Sequence, residues 1–179
     1  ALSYKNDNFN ITEPFKGLFT QGMVCHETYK DQENNWVSPD EVVSKDGKKY
    51  LKNNTSKEVN VGPSESMSKS KKNTIDPENI INNYGADSVR LFILSDSPPE
   101  KDVQWSNQGV NAAYKFLQKI WNLNILLEKR KEKGIKQDIE NNFKRKFNAY
   151  ILKITNLIEN FQLNVAVANV YEIYNLLNN

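Results

Sequence analysis

Cysteine and histidine are nearly absent from this sequence of 179 residues. Its single cysteine, Cys25, excludes an intramolecular disulfide framework and suggests a reducing compartment. Its one histidine, His26, has no Cys, His or carboxylate neighbours at metal-ligand spacing, so we assign neither residue a role. No apolar run approaches the length of a membrane span, and no signal-peptide pattern opens the sequence. We therefore expect a cytoplasmic protein.

An excess of charge of one sign is also lacking. The sequence has 24 lysines and arginines against 22 aspartates and glutamates, which gives a formal net charge of +2. This balance excludes a global polycation that binds nucleic acid and leaves only local basic patches. The length suits one domain or two small ones with a usable core. Because the sequence opens on alanine and without a capping residue, we expect it to begin within a larger protein.

The first third of the sequence predicts short strands and turns. An apolar run from Leu18 to Cys25 predicts a buried strand, in which Gly22 marks a close approach to another backbone, most commonly that of a packed helix. Asp46-Gly47 lies between two β-forming runs, which is a strong hairpin signal. Ser-Pro-Asp-Glu at 38–41 either caps one helical turn or forms a bend. The polar stretch from Lys52 to Asn60 predicts a flexible excursion.

The most distinctive stretch runs from Ser66 to Asn73, where serines alternate with lysines. No apolar period crosses this stretch, so it predicts a mobile surface loop and excludes a core strand or helix. Lys69, Lys71 and Lys72 repel one another unless an anion lies among them, and serine hydroxyls add donors for phosphate oxygens. The plainer alternative is a solvated basic turn, which is the commoner meaning of an arbitrary Lys/Ser run.

Helices are predicted for the remainder of the sequence. Asp76-Pro77 supplies an N-cap and a first helical residue, Gly85 ends that helix, and Ala86 opens the next one. From Val110 onward three amphipathic helices with short links predict an α-helical bundle, so the fold class is α+β and mainly α. The predicted core stripes are Val110, Ala113, Tyr114, Leu117, Ile120 and Trp121; Phe143, Phe147, Tyr150, Ile151, Ile154, Leu157, Ile158 and Phe161; and Val167, Val170, Tyr171, Tyr174 and Leu177.

Several ordered segments resemble known enzymes. Ser66 to Asn73 looks like the KMSKS signature loop of class I aminoacyl-tRNA synthetases. Further segments are similar to the bacterial type of leucyl-tRNA synthetase: Glu13-Pro14-Phe15, Thr20 to Val24, Trp36 to Pro39, Asp76-Pro77, Tyr84 to Phe92, Trp105-Ser106, Gly109-Val110 and Tyr114 to Leu117. A five-residue pattern alone is weak evidence, but ordered segments at compatible spacings argue against a chance match.

The resemblance implies two domains. Residues 1–105 would form the C-terminal part of a Rossmann-like catalytic domain, with a short β insertion, the KMSKS-like loop and a stem segment. Residues 106–179 would form the start of a helical tRNA-binding bundle, similar to an anticodon-binding domain and incomplete. The whole enzyme would be a monomeric leucine–tRNA ligase that activates leucine with ATP and transfers it to tRNA(Leu), and this stretch alone would be inactive.

The resemblance also assigns the site residues. Met67, Ser68, Lys69 and Ser70 would bind ATP, and Lys69 would be the catalytic residue and principal phosphate contact. Mg²⁺ would accompany ATP through phosphate oxygens and water, without a protein cage. The family pattern begins with lysine, where this sequence has Ser66. Either that contact is dispensable, which we favour, or Lys71 or Lys72 compensates for it.

Basic side chains of the predicted bundle are candidates for contact with an RNA backbone. They are Lys115, Lys119, Lys129, Arg130, Lys131, Lys133, Lys144, Arg145 and Lys146. For any one of them, a solvated helix face is the plainer interpretation. Two other functions stay open: the isoleucyl-, valyl- or methionyl-tRNA synthetase, or a non-catalytic RNA-binding helical module. The segment from Thr20 to Val24 favours the leucine enzyme.

Overall fold

A computed structural model of the chain describes residues 15–129 and 137–178. The strands are β1 (Val24–Lys30), β2 (Trp36–Val37), β3 (Val42–Lys45), β4 (Lys48–Leu51), β5 (Asn54–Glu58), β6 (Asn60–Ser66) and β7 (Val103–Gln104). The helices are α1 (Pro77–Tyr84), α2 (Ala86–Asp96), α3 (Asn107–Lys129), α4 (Gln137–Glu159) and α5 (Leu163–Asn178). In these ranges the fold is mixed α/β. The predicted sites at Arg130, Lys131 and Lys133 lie outside the described residues, as does the Glu13-Pro14 segment.

Strand β1 is the central strand of a four-stranded sheet. It pairs antiparallel with β6 along most of its length, from Cys25 opposite Ser66 to Lys30 opposite Asn60. Strand β2 pairs antiparallel with the C-terminal end of β1, and β7 pairs parallel with its N-terminal end. The basic loop therefore follows β6, an edge strand that is paired with the central strand β1 up to its last residue.

The predicted strand from Leu18 to Cys25 is wrong at its start, because β1 begins only at Val24 and Leu18 is 91% exposed. The Gly22 N–H donates to the Pro99 carbonyl at 2.8 Å, so this backbone is bound to a turn and not to a neighbouring strand. The close approach predicted at Gly22 is confirmed. A Cβ there would overlap the backbone of Lys101 and Asp102. The close partner is therefore the segment before β7, and not a packed helix as predicted.

The smaller sheet contains β3, β4 and β5 in antiparallel order. The Asp46-Gly47 hairpin is confirmed, with φ of 50° and 79° at the two turn residues, as a type I′ turn requires. The flexible excursion predicted over Lys52–Asn60 is wrong, because β5 occupies most of it. All five side chains of β5 are exposed, so the strand rests on backbone pairing with β4 and carries no apolar pattern.

The two predicted helix starts after the basic loop are confirmed. The Asp76 side chain accepts a hydrogen bond from the Glu78 N–H at 3.0 Å, and Pro77 is the first residue of α1. Gly85, with φ of 79°, separates α1 from α2. The earlier segment at 38–41 forms a single 3₁₀ turn, in which the Ser38 N–H donates to the Glu41 carboxylate at 3.2 Å.

The main core joins α2, β7 and α3. Its buried residues are Phe92, Val103, Val110 and Ala113, and Val110 has 0% of its surface exposed. Trp105 packs edge-on against Phe92 with ring centroids 5.7 Å apart. This core fixes the start of α3 against α2, and through α1 it fixes the segment that leaves the basic loop.

The three long helices are confirmed, but part of their predicted core is wrong. In α3, Phe116 and Leu123 are buried, whereas Trp121 is 69% exposed. In α4, Ile151 and Ile158 are 46% and 53% exposed. The main helix contacts join α2 to α3, α2 to α5, and α4 to α5. Phe116 of α3 also stacks on Tyr171 of α5, with ring centroids 3.6 Å apart, whereas Trp121 further along α3 stays exposed. In the described part of the chain, no helix combines the length and apolarity of a membrane span.

Candidate functional site

The basic loop leaves the sheet at a fixed point. Ser66 is the last residue of β6 and pairs with Cys25 of β1. The Met67 N–H continues this pairing by donating to the Val24 carbonyl at 3.1 Å. The first loop residue is thus bound to the central strand, which sets the direction in which the loop begins.

Asn73 holds the other end of the loop. Its side chain has 0% of its surface exposed. The Oδ1 atom accepts from the Ser68 N–H at 2.8 Å, and the Nδ2 atom donates to the carbonyls of His26 and Glu65, both at 3.2 Å. One side chain therefore connects the loop to β1 and to β6. Sequence reasoning placed Asn73 in the loop but missed this role. The available signal was its residue type, because only Asn and Gln carry two N–H donors and a carbonyl acceptor on one side-chain amide group.

Between these anchors the chain forms a 3₁₀ turn over Lys69–Lys71. The Ser68 and Ser70 hydroxyl oxygens lie 2.8 Å apart on this turn. Lys72 follows with a left-handed φ of 51°, and its N–H donates to the Lys69 carbonyl at 3.2 Å. Of the four predicted ATP-binding residues, Lys69 and Ser70 therefore lie in this exposed turn, and Met67 and Ser68 directly precede it. Their role in binding ATP stays a prediction.

The three lysines of the loop differ in their surroundings. The Lys71 ammonium forms an ion pair with the Glu65 carboxylate of β6. Lys69 and Lys72 are exposed, and neither forms an ion pair with a described residue. The turn thus presents two cationic side chains to solvent and one that is locally neutralised. Ser66, which stands where the family has lysine, has its hydroxyl 4.0 Å from the Cys25 Sγ atom.

A cleft of about 810 Å³ lies between β1, the small sheet and the first residues of α1 and α3. The Tyr29 hydroxyl on its wall donates to the Glu27 carboxylate at 2.8 Å. Burial, together with this hydrogen bond and the Glu27 charge, raises the pKa of Tyr29 well above its usual range. His26 also lines the cleft, and its Nδ1 atom donates to the Glu27 carbonyl at 2.8 Å. Met67 to Ser70 are not among the lining residues, so the cleft and the basic loop are separate features.

Two further groups of predicted residues can be placed. Lys115, Lys119 and Lys129 lie on α3, and Lys144, Arg145 and Lys146 lie on α4; all six are exposed. Lys144 pairs with Glu140 one turn earlier at 2.6 Å. Among the described residues, no group of three or more His, Cys, Asp and Glu side chains is arranged to hold a metal ion.

Comparison with known proteins connects this geometry to a family. The profile of the class I tRNA synthetases (I, L, M and V) matches residues 59–106, which contain β6, the basic loop, α1, α2 and β7. The leucine–tRNA ligase of Bartonella henselae is 45% identical over 174 residues, which cover 93% of this chain and 20% of the relative. That of Rickettsia prowazekii is 43% identical over 98% of this chain and 21% of the relative. The chain is similar to one part of these leucine–tRNA ligases.

A solved structure supports the same relationship. It is a ternary complex of Agrobacterium radiobacter K84 LeuRS with tRNA and LeuAMS, and it matches with a TM-score of 0.55 at 28% sequence identity. The match covers 63% of this chain and 15% of the LeuRS chain. The leucine–tRNA ligase of Zymomonas mobilis is 40% identical over 94% of this chain and 19% of its own length. The chain thus spans about a fifth of the length of the curated relatives it matches.

Proposed function

We propose that this chain acts as part of a leucine–tRNA ligase, where it contributes the loop that binds the phosphates of ATP. The observation that carries this proposal is the identity of 40–45% to leucine–tRNA ligases across almost the whole chain. The relatives' names favour leucine over isoleucine, valine or methionine as the amino acid. They also favour a ligase over a non-catalytic RNA-binding module.

The proposed reaction needs alignment and charge neutralisation, and no covalent intermediate with the protein. The carboxylate of leucine attacks the α-phosphorus of ATP, pyrophosphate leaves, and the aminoacyl group of the adenylate then passes to the terminal ribose of tRNA. Lys69 is proposed to stabilise the negative charge that builds on the phosphate oxygens. Its exposure on a short turn suits a group that closes on the triphosphate only when ATP is bound.

The neighbours of Lys69 complete the proposed phosphate contact. Ser68 and Ser70 carry hydroxyls that donate to phosphate oxygens, and the half-buried Met67 is bound to β1 through its N–H. Mg²⁺ is proposed to arrive with ATP, held by phosphate oxygens and water. Of the two lysines that would compensate for Ser66, Lys71 is occupied by Glu65 whereas Lys72 is exposed. This supports the view that the missing first lysine is dispensable, or that Lys72 replaces it.

The remaining proposals follow from the family. Residues 1–105 are proposed to belong to a Rossmann-like catalytic domain, and 106–179 to the start of a helical bundle that contacts tRNA(Leu). Exposed Lys115 and Lys119 lie one turn apart on α3, and Lys144 to Lys146 form a basic run on α4. Contacts of this kind with phosphate fix register and carry no sequence information. We also propose that the enzyme is monomeric and cytoplasmic.

The proposal is tested by removing the Lys69 ammonium in a catalytically complete background. A chimera is made in which this chain replaces the aligned fifth of the Rickettsia prowazekii leucine–tRNA ligase. Leucine-dependent exchange between ATP and pyrophosphate is then measured. We expect Lys69→Ala to lower the exchange rate about 10²–10³-fold, as loss of one donor to a transition-state oxyanion does.

The matched control is Lys52→Ala, which removes an exposed lysine that precedes β5. It should leave the exchange rate within about twofold, because surface substitutions away from special features have small effects. An active chimera whose Lys69→Ala variant exchanges at the unmodified rate would refute the assignment of Lys69. A chimera that folds but never exchanges would count against the proposal that this chain supports adenylate formation.

A further inference from the structure

We propose that Asn73 is a positioning residue, which holds the Ser68–Lys69 segment in the orientation that phosphate binding requires. The inference rests on the proposed function of Lys69. It goes beyond that function by assigning a role to an amide that is fully buried and does not face solvent. The observation behind it is that one side chain hydrogen-bonds to three separate backbone segments.

The hydrogen bonds of the Asn73 side chain, which include a longer one of 3.5 Å to the Ser66 carbonyl, converge from different parts of the chain. Asn73 follows Ser68 by five residues, but it lies 47 residues after His26, to whose carbonyl it donates at 3.2 Å. The second Nδ2 contact goes to the Glu65 carbonyl, also at 3.2 Å. His26 and Glu65 are themselves register partners in the β1–β6 pair. The amide therefore ties the loop to both strands at one level of the sheet.

The side chain that can do this is narrowly defined. The site needs one acceptor for the Ser68 N–H and donors for two carbonyls, at the length of an asparagine. Aspartate keeps the acceptor but places a carboxylate oxygen against the two carbonyls. Alanine leaves all three backbone groups without this partner, and buried polar groups without a partner are costly. The contacts that hold the loop in place therefore require asparagine at position 73, and solvent exposure does not explain this residue type.

Lys69 is the residue that depends on this anchor. It follows Ser68 directly, and its carbonyl accepts the hydrogen bond from the Lys72 N–H that closes the turn. Without Asn73 the segment from Ser68 to Lys72 would be held to the sheet only by the preceding Met67 N–H and by the ion pair of the Lys71 side chain with Glu65, among the contacts of the described residues. Lys69 would then sample a wider range of positions, and fewer of them would place its ammonium at the phosphate. Misplacement of a reacting group by about 1 Å can lower a rate about 10²-fold.

A double-mutant cycle in the same chimera separates positioning from general support of the fold. Asn73→Ala should lower kcat/KM for ATP in the exchange reaction about 10²-fold. In the Lys69→Ala background the same change should lower it less than about threefold, because a residue that acts through Lys69 has nothing left to position. If the two effects multiply instead, Asn73 acts independently of Lys69 and the inference is overturned.

The cycle also distinguishes this inference from the proposed function. If Lys69→Ala has no effect, the proposed function fails first. If Lys69→Ala is impaired while Asn73→Ala is not, the proposed function stands and the inference fails. Asn73→Asp serves as a second variant, because it keeps the size and the acceptor; it should also be impaired. All variants are assayed at a temperature at which circular dichroism shows that they are folded, and unimpaired exchange in both Asn73 variants overturns the inference.

Amide hydrogen exchange in the chain of 179 residues gives a readout that does not involve catalysis. In the unmodified chain the Ser68 N–H is bound to Asn73 and should be protected. Asn73→Ala should remove most of that protection while the amides that join β4 to β3 keep theirs. Protection of Ser68 that survives the substitution would overturn the inference, and equal loss of protection in β4 would show that Asn73 supports the whole fold.

Discussion

Gly109→Ala tests the core that fixes α3, and two opposing effects make its outcome informative. Gly109 is the third residue of α3, where replacing glycine by alanine inside a helix normally stabilises by up to about 1 kcal/mol. Here a Cβ would lie 2.5 Å and 2.7 Å from two ring carbons of Phe92. Phe92 is only 3% exposed and is packed edge-on by Trp105, so its ring has little room to move away.

The magnitude follows from the difference between these effects. Overpacking a well-packed core costs about 1–3 kcal/mol. After the gain in helix propensity, we expect a net loss of about 1–2 kcal/mol. For a chain of this length, each kcal/mol shifts the melting temperature by roughly 2–4 °C, so the expected decrease is about 2–8 °C. The measurement is thermal unfolding of the 179-residue chain followed by circular dichroism at 222 nm.

Two comparisons make the result specific. Gln108→Ala, at the exposed neighbouring position, should change stability by less than about 0.5 kcal/mol. In a Phe92→Leu background, the smaller side chain should relieve most of the overlap and reduce the cost of Gly109→Ala. An increase in melting temperature for Gly109→Ala alone would refute the packing of α3 against α2 at this point. If Gly109→Ala lowers stability equally in the Phe92→Leu background, overlap with the Phe92 ring is not the cause of the loss.

Two further predictions concern the cleft and the basic helices. The raised pKa of Tyr29 means that the unfolded chain ionises first, so its contribution to stability is complete below pH about 10 and is lost as the pH rises through the folded pKa. Urea unfolding between pH 8 and 11 should therefore show a steeper loss for the unmodified chain than for Tyr29→Phe; equal slopes would contradict it. Binding of tRNA(Leu) should weaken with salt, and Lys115→Ala with Lys119→Ala should reduce the slope of log K against log salt by roughly one to two. Lys48→Ala, which removes a lysine paired with Glu58 on the small sheet, should not change the slope. An unchanged slope in the α3 double variant would remove both lysines from the proposed interface.

The parts of the fold that were predictable are those fixed by neighbouring residues. Asp46-Gly47 specifies a type I′ turn because both turn residues need a positive φ. Asp76 caps α1 through a bond to Glu78 only two residues away. Gly85 ends the same helix with its own positive φ. Each of these features depends on bond geometry within a few residues, so it can be predicted from the sequence.

The features that sequence reasoning missed depend on partners far along the chain. β5 carries no apolar alternation, because it is held by backbone pairing with β4 and exposes every side chain. Asn73 gave no pattern at all, since its partner His26 is 47 residues away. The stripe on α3 was only partly right: Phe116, which it left out, is buried and stacks on Tyr171 of α5, whereas Trp121, which it included, is 69% exposed. Periodicity identifies the face of a helix, but the neighbouring element decides which turns of that face are covered.

The charge pattern of the loop shows how local and distant effects combine at the candidate site. Three lysines within four positions were expected to repel one another unless an anion lay among them. Glu65 supplies one carboxylate, and it reaches Lys71 because β6 ends one residue later and the turn folds back beside it. Lys69 and Lys72 form no ion pair with a described residue, and they lie on a turn whose backbone is held by Asn73. The buried amide and the Glu65 carboxylate together order a basic turn without neutralising it. A polyanion such as the triphosphate of ATP is the kind of ligand that would supply the remaining negative charge.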